Sequence, residues 1–276
     1  MPRIQAIASR TRKGPSKPAE LRPPLKWAGG KRWQVPHLQP LWKAHSHRRL
    51  VEPFCGGLAV SLGLNPRQAL LNDVNPHLIN FYQWLKRGLV IDLDMRNDER
   101  QYYRHRTRFN DLLAERKHTK KDAAALFYYL NRTGYNGLCR FNRSGEFNVP
   151  FGRYKTIGYV KDFSPFAVLF ARWDFSSTDF EGLPLEPDDF VYADPPYDVE
   201  FTSYSQGGFS WADQVRTAKW LVKHRGPVVL VNQATEKIME LYSGLGYKIS
   251  SHKAPRRINC TGDRTPADEV MATRNI

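Results

Sequence analysis

Cysteine is scarce in this chain: Cys55, Cys139 and Cys260 are its three, far apart and outside any CxxC or Cys/His ligand spacing. That pattern excludes a disulfide framework and gives reduced thiols with no metal site as the expectation. Apolar runs are short, none near the ~20 residues that a membrane span requires, so no membrane partner is expected and the chain reads as soluble and globular. Negative charge is in deficit, with 27 Asp and Glu against 42 Lys and Arg, a net charge of +15. A balance of that size says nothing about fold but favours a polyanionic partner, nucleic acid first, over a generically basic surface.

Residues 1–24 lack the continuous apolar core of a secretory signal. Arg3, Arg10, Arg12, Lys13, Lys17 and Arg22 against Glu20 resemble a transit peptide in composition, but prolines at 15, 18, 23 and 24 argue for a disordered basic arm and cytoplasmic residence. The remainder, in a chain of 276 residues without internal repeats, fits one elaborated domain or a domain carrying an insertion.

What is present centres on Asp194-Pro195-Pro196-Tyr197. It follows Phe190-Val191-Tyr192-Ala193, an apolar run that reads as a buried parallel strand, and ligands of open α/β sheets bind at the carboxyl ends of such strands. Two prolines stiffen the corner, leaving a carboxylate on one side and an aromatic ring on the other, suited to a flat polar molecule. Alone, the tetrapeptide is equally readable as a strand-ending turn.

Upstream, Leu25-Lys26-Trp27-Ala28-Gly29-Gly30-Lys31 is a small-residue turn that enters the helical pattern of Val35, Leu38 and Leu41. It is not a P-loop, because Leu25 and Arg32 stand where the Walker spacing needs glycine and Ser or Thr. Leu50 to Gly57 reads as a short strand and glycine turn before a helix, Leu58 to Leu64. The next strand, Ala69 to Leu71, ends in Asn72-Asp73, at the distance where nucleotide folds place an acid on ribose hydroxyls. Asp73 also fits as a cap for the helix Pro76 to Leu85.

Between Gly88 and about Phe163 the α/β rhythm stops. Two helical stretches, Tyr102 to Leu113 and Ala123 to Leu130, precede a long loop, Asn131 to Lys155, where Gly and Asn alternate with Arg and Tyr. Arginine forks and rings on turns are what base-edge readout and wedging require. The rhythm then resumes: helix Pro165 to Ala171, strand Trp173 to Ser176, the Asp-Pro-Pro-Tyr strand, a polar loop Asp198 to Ser210, helix Ala212 to Lys223, strand Val228 to Val231, helix Thr235 to Tyr242, and strands near Tyr247–Ser251 and Asp268–Ala272. Lys253 to Arg264 is a basic loop, readable as a phosphate contact or as solvated decoration.

Lys-Trp-Ala-Gly-Gly-Lys (26–31), Glu-Pro-Phe-Cys-Gly-Gly (52–57), Asn-Asp-Val-Asn (72–75), Leu-Asn-Arg-Thr-Gly-Tyr-Asn-Gly-Leu-Cys-Arg (130–140), Gly-Glu-Phe-Asn-Val-Pro-Phe-Gly-Arg-Tyr-Lys (145–155) and Asp-Pro-Pro-Tyr resemble the Dam-type DNA adenine-N6 methyltransferases of the D12 class, in motifs and in their order. The resemblance covers residue 25 to about 272. It implies an α/β fold: a Rossmann-like methyltransferase sheet ending in an antiparallel hairpin, with an inserted, mostly helical target-recognition domain. The catalytic domain would comprise residues 25–88 and 163–276, and the recognition domain 89–162. It implies S-adenosyl-L-methionine as cofactor, no metal, and double-stranded DNA as partner, with GATC or a close relative as target and a monomer in solution.

By the same resemblance, Asp194, Pro195, Pro196 and Tyr197 are catalytic. Trp27, Lys31, Phe54, Cys55, Gly56, Gly57, Asp73, Phe175 and Asp194 line the cofactor site, although Trp27 reads equally as core and Cys55 as a small packed residue. Lys26, Arg132, Tyr135, Asn136, Leu138, Arg140, Arg153 and Tyr154 contact DNA. In that set Arg140 reads a guanine, Leu138 touches a thymine methyl and Tyr135 wedges into the stack. Two departures stand out: Thr133 replaces an aromatic, and Val231-Asn232-Gln233-Ala234-Thr235 stands where the family usually has Ser-Asn-His-Asp-Thr.

Overall fold

Successive residues of the central strands face opposite ways into two apolar clusters. In the computed structural model, which describes residues 21–197, 208–255 and 267–276, β1 (Leu50–Glu52), β2 (Ala69–Asn72) and β4 (Phe190–Ala193) are buried along their whole length. On β4, Phe190 and Tyr192 join one cluster while Val191 and Ala193 join the other. A strand covered on both faces has no use for polar alternation, so its sequence is a continuous apolar run. Most of the basic arm, the polar loop after Tyr197, the basic loop after Ala254 and Cys260 lie outside the described residues.

With β3 (Trp173–Ser176), β5 (Val228–Gln233), β6 (Lys248–Ala254) and β7 (Ala267–Arg274), the strands form a seven-stranded sheet in the order β3-β2-β1-β4-β5-β7-β6. The pairs from β3 to β5 are parallel, and β7 runs antiparallel to both β5 and β6. The expected antiparallel hairpin is therefore present. Helices α1 (Val35–His45), α2 (Ala59–Leu64), α3 (Pro76–Lys86) and α6 (Ser164–Phe170) supply residues to the first cluster, and α7 (Trp211–Val222) and α8 (Glu236–Gly244) to the second. From β1 the chain builds outward through β2 and β3, then returns to lay β4 on the other side of β1. The carboxyl ends of β1 and β4 thus meet at the switch point of the sheet, where such folds bind ligands.

Between α3 and α6 lie α4 (Glu99–Ala114) and α5 (Lys121–Thr133). Their buried faces, including Tyr102, Phe109, Phe127, Tyr128 and Tyr129, are continuous with the first cluster. α5 is longer than its apolar pattern: Asn131, Arg132 and Thr133, assigned to the loop from sequence, are its last turn. The Thr133 hydroxyl donates to the Tyr129 carbonyl at 2.7 Å, and the Asn131 side chain is engaged elsewhere, so neither competes with the helix backbone.

At the amino ends of β1 and β4, Arg49 grips Asp189 through Nε and Nη2 at 2.9 and 2.7 Å. The Asp189 side chain is 1% exposed against 20% for Arg49. Removing one partner of a buried pair strands the other, so Asp189→Ala should lower the unfolding free energy by roughly 3 kcal/mol, the low end for such pairs because Arg49 keeps some water. Urea melts read by circular dichroism check this; a loss below ~1 kcal/mol would contradict it.

Candidate active site

The glycine turn after β1 is tied into the sheet and shaped by one indole. Cys55 N–H donates to the Asn72 carbonyl at 2.7 Å, and the Tyr82 hydroxyl donates to the Gly56 carbonyl at 2.6 Å. Gly56 has φ +44°, and a Cβ there would come within 2.8 Å of Trp27 Nε1. A Cβ at Gly57 would lie 2.8 Å from Trp27 Cβ. Trp27 packs partly buried against the core and over the two glycines. The Asp73 carboxylate accepts from Gly56 N–H at 3.2 Å and from Asn75 N–H at 3.0 Å. It is not the helix cap: Asn75 caps α3 by accepting from His77 and Leu78 N–H. Burial outweighs those bonds and raises the Asp73 carboxyl to about 6.

Around this turn, Phe54 meets Phe180 and Phe209 at 5.4 and 5.7 Å between centroids. Phe175, partly exposed on β3, packs on Tyr82 and Phe170 at 5.6 and 5.1 Å. Cys55 is buried and burial pushes its thiol well above the usual range, the state of a packed side chain rather than a nucleophile.

At the end of β4, Lys31 Nζ stands 3.2 Å from Asp194 Oδ2, 2.8 Å from the Gly29 carbonyl and 4.6 Å from the Tyr197 ring centre. Asp194 Oδ1 is buried and has no hydrogen-bond partner among the described residues. Burial raises the Asp194 carboxyl, with Lys31 and then Tyr197 opposing that rise. Three groups that the sequence did not single out surround this corner. Glu269 on β7 accepts from Gln34 Nε2 at 2.8 Å, and Gln34 Oε1 accepts from the Tyr192 hydroxyl at 2.6 Å. Glu52 is buried at the end of β1 with Oε1 unpartnered among the described residues, and burial raises its carboxyl to about 8.

The segment expected to contact DNA docks on the segment expected to line the cofactor site. Asn131 accepts from Lys26 N–H at 2.9 Å and donates to the Lys26 carbonyl at 2.7 Å, gripping the backbone next to Trp27. Lys26 Nζ donates to the Arg132 carbonyl at 2.9 Å and sits 3.7 Å over the Tyr154 ring; burial and then Arg132 lower its pKa to about 8. Asn75 Nδ2 donates to Cys139 Sγ at 3.3 Å, a second tie. Tyr135 is 51% exposed, and Asn136, also exposed, takes a left-handed φ of 51°. Leu138 and Arg140 are half-buried, and Arg140 Nε donates to Asn148 Oδ1 at 2.8 Å. Lys26, Tyr135, Asn136, Leu138, Arg140 and Tyr154 thus belong to one connected region. Arg153 is 84% exposed and pairs with Glu99 at 3.9 Å, and the Arg132 guanidinium lies beside Gly158. Asn131 was quoted within a motif but carried no assigned role; its signal was a buried amide in a helix's last turn, which sequence alone does not distinguish from a loop asparagine.

A glycine turn and an acidic proline corner side by side at the switch point of a parallel sheet mark the ligand site of a Rossmann-like fold. Residues 27–258 match the family described as D12 class N6 adenine-specific DNA methyltransferase. The retron Ec67 DNA adenine methylase of Escherichia coli is 36% identical over 90% of this chain and 90% of its own length. The DNA adenine methylase of Vibrio cholerae is 35% identical over 90% and 94%. The type II methyltransferase M1.LlaDCHI of Lactococcus lactis is 36% identical over 80% and 84%. The chain belongs to the D12 class of adenine-N6 DNA methyltransferases, whose methyl donor is S-adenosylmethionine.

Gly57→Ala should push Trp27 and its segment off the turn, since the clash is with the Trp27 Cβ and not with a mobile side-chain end. S-adenosylmethionine affinity, read by calorimetry, should fall about tenfold or more. An unchanged dissociation constant in the folded variant would contradict this packing role.

Proposed function

We propose that the protein methylates N6 of an adenine flipped out of duplex DNA, in GATC or a closely related site, with residues 25–88 and 163–276 as the catalytic domain and 89–162 as the target-recognition domain. The observation that carries the reading is the divided Asp194 carboxylate: Lys31 holds one oxygen, and the other is a buried acceptor with no partner among the described residues. A buried acceptor left open is costly unless a ligand answers it.

The residues fit the donor molecule. Gly56 and Gly57 bare the backbone beneath Trp27, and Phe54 and Phe175 offer ring walls. Asp73, braced by two N–H groups, would accept from ribose hydroxyls. When bound, S-adenosylmethionine supplies an electrophilic methyl on a positive sulfonium. The adenine amino nitrogen is a poor nucleophile because its lone pair is spread into the ring. Asp194 Oδ1 would accept one amino hydrogen and the Pro195 carbonyl the other, drawing the nitrogen lone pair out of the ring; as the N–C bond forms, the S–CH3 bond would break to leave a neutral thioether, and the amino group would then lose one proton to water. Lys31 opposes the rise that burial imposes on the Asp194 carboxyl and fixes it in orientation. Tyr197 stacks on the base, which reaches the corner only after leaving the duplex.

Arg140, with its fork oriented by Asn148, reads a guanine edge; Leu138 meets a thymine methyl and the exposed Tyr135 ring fills the gap left by the base. The names of the relatives, DNA adenine methylases among them, agree with this chemistry. The net charge of +15 suits a polyanion.

Asp194→Ala should abolish methyl transfer to methylation-free duplex DNA while leaving the fold intact; appreciable residual N6-methyladenine, by radiolabel or by digestion with methylation-sensitive nucleases, would remove Asp194 from its role. Arg140→Ala should cost ~1–3 kcal/mol of discrimination and relax one base of the target. A preference profile identical to that of the parent enzyme would sink the guanine assignment.

A further inference from the structure

Beside the Asp194–Tyr197 corner runs a line of buried amides that the chemistry above does not use. Gln214 on α7 and Asn232 on β5 are 1% and 0% exposed. Gln214 Nε2 donates to the Pro196 carbonyl at 2.7 Å, and Asn232 Nδ2 donates to Gln214 Oε1 at 2.9 Å. Asn232 Oδ1 in turn accepts from Gln233 N–H at 2.9 Å, and its Nδ2 also reaches the Tyr242 hydroxyl at 3.3 Å.

Each link fixes the polarity of the next. A backbone N–H occupies Asn232 Oδ1, so its Nδ2 faces Gln214; Gln214 Oε1 answers that donor, so Nε2 faces Pro196. Reversing the Gln214 amide would set two carbonyl oxygens against each other in a dry site, where an unmatched acceptor is most costly.

The corner needs such a donor because two consecutive prolines contribute no N–H of their own. Of its two carbonyls, Pro196 O is held by Gln214. Holding one carbonyl fixes the adjoining peptide planes, and with them the direction of the other.

We propose that Gln214, oriented by Asn232, is a positioning residue for methyl transfer: by gripping the Pro196 carbonyl it sets the Pro195 carbonyl and Asp194 Oδ1 to face the acceptor amino group together. This rests on the reading of the corner given under Proposed function. Misplacement of the acceptors affects an arrangement matched to the transition state more than binding of either substrate, so the loss should fall on kcat.

The test uses the full chain with Gln214→Met, which keeps an unbranched side chain of similar size but has no donor. Single-turnover methylation of duplex DNA should slow roughly 10- to 100-fold. The KM for S-adenosylmethionine and the DNA dissociation constant should stay within about threefold, and the melting curve should remain cooperative. A folded variant with kcat within about threefold of the parent, or with its loss confined to KM and DNA affinity, overturns the proposal. If the methionine variant does not fold, Gln214→Leu carries the same expectation and the same overturning results; failure of both to fold would assign the amide to the fold and overturn the positioning role. A parent enzyme that does not methylate adenine N6 would instead defeat the reading of the corner, which separates the two failures.

Discussion

The contact on which the site depends is the ion pair between Lys31 and Asp194. Both charges are largely out of water, and such a pair repays its desolvation only where geometry is tight and the remaining valences are answered. Here Lys31 also donates to the Gly29 carbonyl and faces the Tyr197 ring, while one Asp194 oxygen has no hydrogen-bond partner among the described residues. The pair joins the segment before α1 to the end of β4 and holds the carboxylate ready. Glu269 and Glu52 face the same neighbourhood, so carboxyl groups outnumber the single lysine. Burial raises both acids, which limits the accumulated negative charge.

The second organising relation is the seam between Lys26 and Asn131. A side-chain amide gripping both polar groups of one residue imitates strand pairing, and it does so where the backbone passes from Lys26, proposed above to contact DNA, to Trp27, packed on the glycine turn. Gly137 is part of the same fit: it has φ +64°, and a Cβ there would lie 2.3 Å from Lys26 Cβ. The segment proposed to read bases and the segment proposed to hold the methyl donor are therefore one packed unit.

Much of this was legible in the residues. Buried strands such as Phe190–Ala193 announce themselves as apolar runs, and the glycine turn, Asp73 and the proline corner follow strand ends in the expected order. The extent of α5 was not legible, because Asn131 and Thr133 are turn formers whose side chains are occupied in ways only tertiary contacts reveal. Gln34, Gln214 and Glu269 left no signal at all. They are ordinary polar residues on helices and a late strand, and their importance comes from what lies opposite them in space. Asp73 was balanced between cap and ligand; the structure gives the cap to Asn75 two positions on.

The place of β7 has a consequence for how the molecule comes into being. It is inserted between β5 and β6, although it follows both in the chain, and it carries Glu269 to the corner. During synthesis the parallel strands can assemble early, but β5 keeps an open edge and the pocket lacks one wall until residues 267–274 leave the ribosome.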